Sequence, residues 1–204
     1  MSCDEDSRLG ADGGRAGQCA STDVMTASIR SIAFEGPDLT GKTSLADGLQ
    51  KLMPYALWPR FSITTQKPAL ETTGSLLSDV AKAFYGSLSK MGRTMPFVLD
   101  RCYVSTYVYG RVFKRGIDIE GLRRVARSLN MTVVYVYTPL KVLLDRLKHR
   151  GDDWVVSDTL ERVFFEYEAW YRDNLFGDSV MATSTVHGRT IAAMADELVI
   201  RLAE

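Results

Sequence analysis

A glycine-rich segment between an apolar run and a helical pattern constrains the fold of this chain more than any other feature. The segment reads Gly36-Pro37-Asp38-Leu39-Thr40-Gly41-Lys42-Thr43 and fits the pattern GxxxxGK[ST] in full. Residues 29–34 before it are strand-like, and leucines at helical spacing follow it. Glycines let backbone N–H groups turn inward, and a helix N-terminus adds positive partial charge. The segment therefore predicts a phosphate-binding loop, the P-loop, in its required context.

The predicted loop assigns chemical roles. Lys42 would reach the β- and γ-phosphates of ATP, and the Thr43 hydroxyl would be a ligand for Mg²⁺. We expect Lys42 to lie at the exposed mouth of the loop, outside the core. A chance glycine-rich turn is the alternative, and the complete match in context disfavours it. The expected set of residues around the ATP phosphates is Gly36, Pro37, Asp38, Leu39, Thr40, Gly41, Lys42, Thr43 and Ser44.

Strand-like and helix-like patterns alternate through the rest of the chain. Residues 131–137 are apolar on both faces, which is typical of a strand in a buried parallel sheet. Further strands are predicted at 55–63, 95–99 and 180–183, and helices at 44–52, 74–85, 104–113, 119–128, 140–149, 158–174 and 190–202. We expect an α/β fold of the P-loop NTPase type, a three-layer sandwich. It has a central parallel sheet of about five strands with helices on both faces.

Length and composition limit the organisation of the chain. Its 204 residues suit one domain, which we place at 27–204, after a disordered tail at 1–26 that has no apolar periodicity. The 25 basic and 25 acidic residues argue against bulk electrostatic binding of nucleic acid. Three cysteines at unrelated spacings indicate free thiols in a reducing compartment. No apolar run is long enough for a membrane helix. We expect a cytoplasmic protein with a small-molecule nucleotide acceptor and no membrane or nucleic-acid partner, and a homodimer stays open.

Asp100 and Arg101 directly follow the apolar strand pattern at 95–99. Their side chains should emerge at the carboxyl end of a parallel strand, where ligands bind in such sheets. Asp100 would hold Mg²⁺ or position the attacking oxygen, and Arg101 would clamp an acceptor phosphate. The alternative is a helix cap followed by a surface charge.

Arg146 and Arg150 are spaced i,i+4 on one predicted helix, so they share a face. A polar stretch follows them, and a mobile lid is expected at about 146–157. Because the P-loop carries no arginine, the lid would supply the charge that neutralises the moving phosphoryl group. The alternative is a solvated basic face.

These motifs resemble the thymidylate kinases. Residues 35–43 resemble their EGxDGxGKT loop, and residues 100–109 resemble their DRYxxSxxAY segment. Arg60-Phe61-Ser62 and Thr73-Gly74 resemble a stretch of the eukaryotic and viral members, and 143–150 with 164–171 resemble the lid helix and its successor. The resemblance covers the chain from about Ile29 and extends to a broader clan that includes deoxynucleoside kinases.

The resemblance implies several roles at the acceptor and the donor. Asp38 would bind the sugar 3′-hydroxyl, and Arg60 and Arg101 the 5′-phosphate. Ser105 would face the base, and Tyr109 would pack under the deoxyribose and exclude a 2′-hydroxyl. Arg146 and Arg150 would serve the donor phosphates, and the loop after Val180 the adenine. The candidate catalytic residues are Lys42, Asp100, Arg101, Arg146 and Arg150.

Two departures bear on the acceptor. Leu39 replaces a small loop residue, and Leu88 stands where the resemblance leads us to expect the arginine that grips thymine. Phe84 would still stack a base, so dTMP or a related or modified pyrimidine nucleotide is expected. A kinase acting on a free deoxynucleoside, and a non-catalytic or ATPase-type P-loop module that binds nucleotide, remain the alternatives.

Overall fold

A four-stranded parallel sheet forms the centre of this computed structural model. The structure describes residues 31–54, 56, 74–91, 96–150, 156–177, 179–184 and 190–203. The strands are β1 (Ser31–Glu35), β2 (Val98–Asp100), β3 (Met131–Tyr137) and β4 (Ser179–Ser184), in the spatial order β2-β1-β3-β4. Among the described residues the sheet thus has four strands rather than about five. The strand predicted at 55–63 lies outside those residues.

Seven helices are described, each close to a predicted one. They are α1 (Lys42–Leu52), α2 (Gly74–Met91), α3 (Tyr103–Val112), α4 (Ile119–Leu129), α5 (Leu140–Arg150), α6 (Ser157–Asp173) and α7 (Ile191–Ala203). The clearest difference is α2, which continues six residues beyond the predicted end at Tyr85 because Leu88 also packs in the core. None of the described helices is long and apolar enough to cross a membrane.

Side-chain alternation along the strands divides the core in two. In β1, Ile32 and Phe34 join the cluster that includes α1 and α7, whereas Ala33 joins the cluster that includes α2, α3, α4 and α6. Successive residues of β3 alternate in the same way, as strand geometry requires. The sheet is therefore covered on both faces, which confirms the predicted three layers.

The parallel pairing places the ends of the strands at one edge. Phe34 is in register with Asp100 of β2, and Glu35 with Tyr135 of β3. The loop after β1 and the turn after β2 consequently leave the sheet side by side. This edge is where the sequence places its candidate site.

Replacing Leu49 by alanine should destabilise the fold. Leu49 is fully buried in the cluster between α1 and α7, so its truncation leaves a cavity. We expect a loss of about 2–5 kcal/mol in the free energy of unfolding, measured with chemical denaturant. The matched control is Leu52→Ala on the same helix, where the side chain is 43% exposed and the loss should stay below about 0.5 kcal/mol. Equal losses for the two variants would contradict this packing.

Candidate active site

The P-loop has the backbone conformation that a phosphate cradle requires. Gly36, Leu39 and Gly41 have positive φ angles of 142°, 68° and 88°. A Cβ atom on Gly36 would lie 2.6 Å from the backbone oxygen of Val136, so only glycine fits there. Gly41 is the N-cap of α1 and no side chain caps this end of the helix. The positive end of α1 thus opens into the loop, as phosphate binding demands.

Lys42 is buried, contrary to the expected exposed position at the mouth of the loop. The residue is 5% exposed, and its ammonium donates to the carbonyl of Pro37 and, over 3.2 Å, to Thr40 Oγ1. The loop wraps around the side chain instead of presenting it to water. Burial and the nearby charge of Arg101 lower the pKa of Lys42 from 10.5 to about 7, against the opposite pull of Asp38, Glu35 and Asp100.

Thr43, in the first turn of α1, meets Asp100 at the end of β2. The Thr43 hydroxyl donates to Asp100 Oδ2 over 2.9 Å. Both groups are hard oxygen donors, and Mg²⁺ keeps several waters when few protein oxygens hold it. Among the described residues no cluster of three or more His, Cys, Asp or Glu side chains could hold a metal. The pair therefore fits an ion that is shared with substrate phosphates.

Arg101 occupies a strained backbone position beside the loop. Its φ angle is 81°, which is rare outside glycine, and its backbone N–H donates to the carbonyl of Phe34 over 3.0 Å. The guanidinium forms an ion pair with Asp38 and approaches the carbonyl of Gly36 at 3.4 Å. Non-glycine strain of this kind persists where the surroundings fix it, often at functional sites. Arg101 thus directly follows β2 and lies beside the P-loop, and its role at an acceptor phosphate stays a prediction.

Asp38 joins Arg101 to Tyr109. One carboxylate oxygen faces Arg101 and the other accepts from the Tyr109 hydroxyl over 2.8 Å. Burial alone would raise the pKa of Asp38, but the charges of Arg101 and Lys42 outweigh it and the pKa is lowered. The Arg101 guanidinium also lies over the Tyr109 ring, 5.4 Å from its centroid. The three residues assigned to the acceptor therefore form one cluster.

A second polar cluster adjoins the first. It includes Glu35 and Tyr167, neither of which was among the site residues predicted from the sequence. Glu35, fully buried, accepts from the backbone N–H of Cys102 and Ser105 through Oε1. Its Oε2 accepts from the hydroxyls of Ser105 and Tyr167, each over 2.7 Å. A glutamate directly after the apolar run Ile32-Ala33-Phe34 was the available signal. No local pattern marks Tyr167.

Arg146 reaches the P-loop from α5. Its Nη1 donates to the carbonyl of Leu39 over 2.7 Å. Arg150, at the exposed end of the same helix, contributes to the lowered pKa of Asp38. Arg146 therefore contacts the P-loop and the charge of Arg150 acts on Asp38 of that loop, while the role of both arginines at the donor phosphates stays a prediction.

For the remaining predicted site residues, the structure gives less direct support for a contact with a ligand. The Ser105 hydroxyl is engaged by Glu35, and Phe84 packs edge-to-face on buried Tyr85 at 5.3 Å. Contacts of these two residues with a base stay predictions. Arg60, the central part of the lid at 151–155 and most of the loop after β4 lie outside the described residues.

Replacing Lys42 by methionine should stabilise the protein and do so in a pH-dependent way. The pKa of Lys42 is lower in the folded chain than in the unfolded one, so the unfolded state binds more protons between about pH 7 and 10.5. The Tm of Lys42→Met should therefore exceed that of the wild type most at pH 6–7, and the gap should shrink as the pH rises toward 10. Thermal melts across pH 6–9 measure this gap.

Lys51→Met is the matched control, because Lys51 is exposed on the last turn of the same helix. Its Tm should follow the wild type at every pH. A gap for Lys42→Met that does not change with pH would contradict the buried position of the ammonium.

Comparisons with known proteins identify the fold. No protein-family model matches the sequence, and no curated protein matches it. Among solved structures, the YorR protein of Bacillus subtilis, in complex with phosphorylated GDP, is similar with a TM-score of 0.65 and 20% identity. That match covers 84% of this chain and 94% of YorR.

Two further similar structures are kinases whose names give substrates that differ from each other. Deoxyadenosine kinase from M. mycoides with bound dATP has a TM-score of 0.56 and 16% identity, over 83% of this chain and 99% of that one. A gluconokinase from Sinorhizobium meliloti has a TM-score of 0.53 and 17% identity, over 86% of this chain and 92% of that one. The chain therefore has the α/β fold that these kinases share.

Proposed function

We propose that this chain is an ATP-dependent kinase that phosphorylates a deoxynucleoside 5′-monophosphate, either dTMP or a related or modified pyrimidine nucleotide. The observation that carries the proposal is the Arg101 guanidinium, held 3.4 Å from the carbonyl of Gly36 and paired with Asp38 of the same loop. A guanidinium fork matches the geometry of a phosphate and binds it through two parallel hydrogen bonds. Its place beside the cradle suits an acceptor phosphate.

The charges at the loop support an anionic acceptor. Arg101 is the second cause, after burial, of the lowered pKa of Lys42, so the two cations act on each other across the loop. An anion between them relieves this repulsion. The donor phosphates would neutralise Lys42 with either acceptor, but a neutral nucleoside hydroxyl would add no negative charge beside Arg101.

The chemistry of phosphoryl transfer also favours a monophosphate as the acceptor. A phosphate oxygen attacks the γ-phosphorus and the bond to the β-γ bridging oxygen breaks, so no proton has to leave the acceptor. A nucleoside hydroxyl would need a general base. Among the described carboxylates at this edge of the sheet, Glu35 accepts four hydrogen bonds, Asp100 accepts from Thr43, and the pKa of Asp38 is lowered. Glu35 is surrounded by donors and a lowered pKa makes Asp38 a weaker base, whereas Asp100 keeps acceptor capacity beside Thr43. A phosphate acceptor would need none of these carboxylates as a base.

The residues present fit ATP and Mg²⁺. The backbone of 36–41 and Lys42 would hold the β- and γ-phosphates, and Thr43 with Asp100 would hold the ion, which neutralises charge on those phosphates when bound. Arg146 would bring a further positive charge to the loop through its contact with Leu39. These residues would hold the donor phosphates in the loop, and Arg101 would hold the acceptor phosphate beside it.

A deoxynucleoside kinase is the second candidate. The fold is similar to that of a deoxyadenosine kinase, which is the reason to consider a nucleoside acceptor. At 16% identity, however, the similarity supports the fold alone. The acceptor decides between the two. A coupled assay with ATP and Mg²⁺ that compares nucleosides with their 5′-monophosphates tests the proposal directly.

Replacing Arg101 by lysine should impair use of the monophosphate. Lysine is a point charge and cannot form the fork, so we expect kcat/KM for the monophosphate to fall roughly 30- to 1000-fold. The matched control is Arg111→Lys, an arginine that is half-exposed on α3 and faces Glu166, and it should stay near wild type. A wild-type enzyme that prefers the free nucleoside overturns the proposed function, whatever the variants do.

Truncating Tyr109 should relax selection for deoxyribose. Its hydroxyl is tied to Asp38 and its ring lies beside Arg101, so the ring borders the space that the acceptor sugar would take. We expect Tyr109→Ala to raise turnover of the ribonucleotide relative to the deoxyribonucleotide, while Tyr109→Phe, which keeps the ring, preserves the ratio. Steady-state assays with both sugars measure it. An unchanged ratio in Tyr109→Ala would assign the ring to packing alone.

A further inference from the structure

Tyr167 connects α6 to the charged cluster at the P-loop. It is fully buried, its ring stacks on Tyr135 at 6.2 Å, and the Trp170 ring meets it edge-on at 6.4 Å. A tyrosine in such a core needs a partner for its hydroxyl, because an unsatisfied buried hydroxyl is costly. The identity of those partners shows what the hydroxyl does.

The hydroxyl of Tyr167 contacts three site residues at once. It donates to Glu35 Oε2 over 2.7 Å, accepts from Arg101 Nη1 over 3.2 Å and lies 2.9 Å from Ser105 Oγ. Burial and the nearby carboxylate of Glu35 raise the pKa of Tyr167 well above its ordinary value, so the group stays protonated. Its single proton is directed to Glu35, which turns the oxygen lone pairs toward Arg101.

The two ends of the Arg101 guanidinium are held from opposite sides. Nη2 pairs with Asp38 in the P-loop, whereas Nη1 is held by Tyr167 and Ser105 and makes a longer contact of 3.4 Å with the Gly36 carbonyl. A planar guanidinium fixed at both ends cannot rotate. If Tyr167 loses its hydroxyl, one of the two side-chain acceptors of Nη1 is gone.

We propose that Tyr167 is a positioning residue that orients the Arg101 guanidinium toward the acceptor phosphate. The proposal rests on the proposed function for the identity of the acceptor. It assigns to α6, the helix that follows the predicted lid, a direct influence on acceptor use. The influence passes through the hydroxyl and leaves the ring free to pack in the core.

Tyr167→Phe tests the proposal, because it removes the hydroxyl and keeps the ring. Hydrogen bonds to charged groups contribute about 1.5–3 kcal/mol, so kcat/KM for the monophosphate should fall roughly 10- to 150-fold. The KM for ATP should stay within about twofold, since this contact concerns the acceptor side. In an Arg101→Lys background the same change should have little further effect, because the group that Tyr167 orients is absent.

Tyr135→Phe is the matched control. Tyr135 belongs to the same aromatic cluster, but its hydroxyl donates to Glu168, away from Arg101. It should leave the acceptor kinetics near wild type. A lower Tm is expected for Tyr167→Phe in any case, because buried Glu35 loses a donor. If the kinetic effect of Tyr167→Phe adds independently to that of Arg101→Lys, the hydroxyl is structural only and the positioning role is overturned.

A measurement without substrate separates the two proposals. In ¹⁵N spectra of the arginine side chains, assigned with Arg101→Lys, the Arg101 Nη groups should rotate slowly in the wild type and in Tyr135→Phe, and faster in Tyr167→Phe. Unchanged Arg101 signals in Tyr167→Phe overturn the positioning role. If the signals respond but the wild type phosphorylates no monophosphate, the positioning of Arg101 stands and the proposed function is overturned.

Discussion

The buried carboxylate of Glu35 is the charge on which the arrangement of this site depends. It lies at the carboxyl end of β1 with no exposed surface, so it is tolerated only because donors surround it. Two of those donors are backbone N–H groups at the start of α3, where the partial positive charge of the helix adds to the attraction. Glu35 thereby fixes where α3 begins relative to β1.

The start of α3 in turn decides where Arg101 stands. Arg101 lies between the end of β2 and the first turn of α3, and its backbone is held to β1 through the carbonyl of Phe34. These two attachments leave it with a φ angle of 81°, which few non-glycine residues adopt. The strained backbone and the hydroxyls of Ser105 and Tyr167 together direct the guanidinium toward the loop. The position of the arginine is thus a consequence of the buried glutamate.

The sequence predicted the parts of this site that depend on local patterns. The P-loop, the apolar strand β3 and the Asp100–Arg101 pair follow from short-range spacing, and the structure places that pair at the carboxyl end of β2. The burial of Lys42 was missed because it depends on how the loop folds around the side chain. Glu35 and Tyr167 are 132 residues apart in the chain, so no periodicity could reveal that they meet. The packing of α6 on the sheet, where Tyr167 stacks on Tyr135 beside Glu35, brings them together, and such packing is a tertiary property.

The positive charges of Lys42 and Arg101, which repel each other across the P-loop, would favour the binding of an anion there. Lys42 is held where burial and Arg101 both oppose its charge, and its pKa falls to about 7 as a result. A polyphosphate in the cradle would supply the opposite charge, so its binding favours the protonated lysine and takes up a proton above pH 7. Ligand that binds only the folded chain also stabilises it by mass action. A loop whose buried lysine is electrostatically unfavourable without a ligand would therefore gain the most from a multiply charged anion.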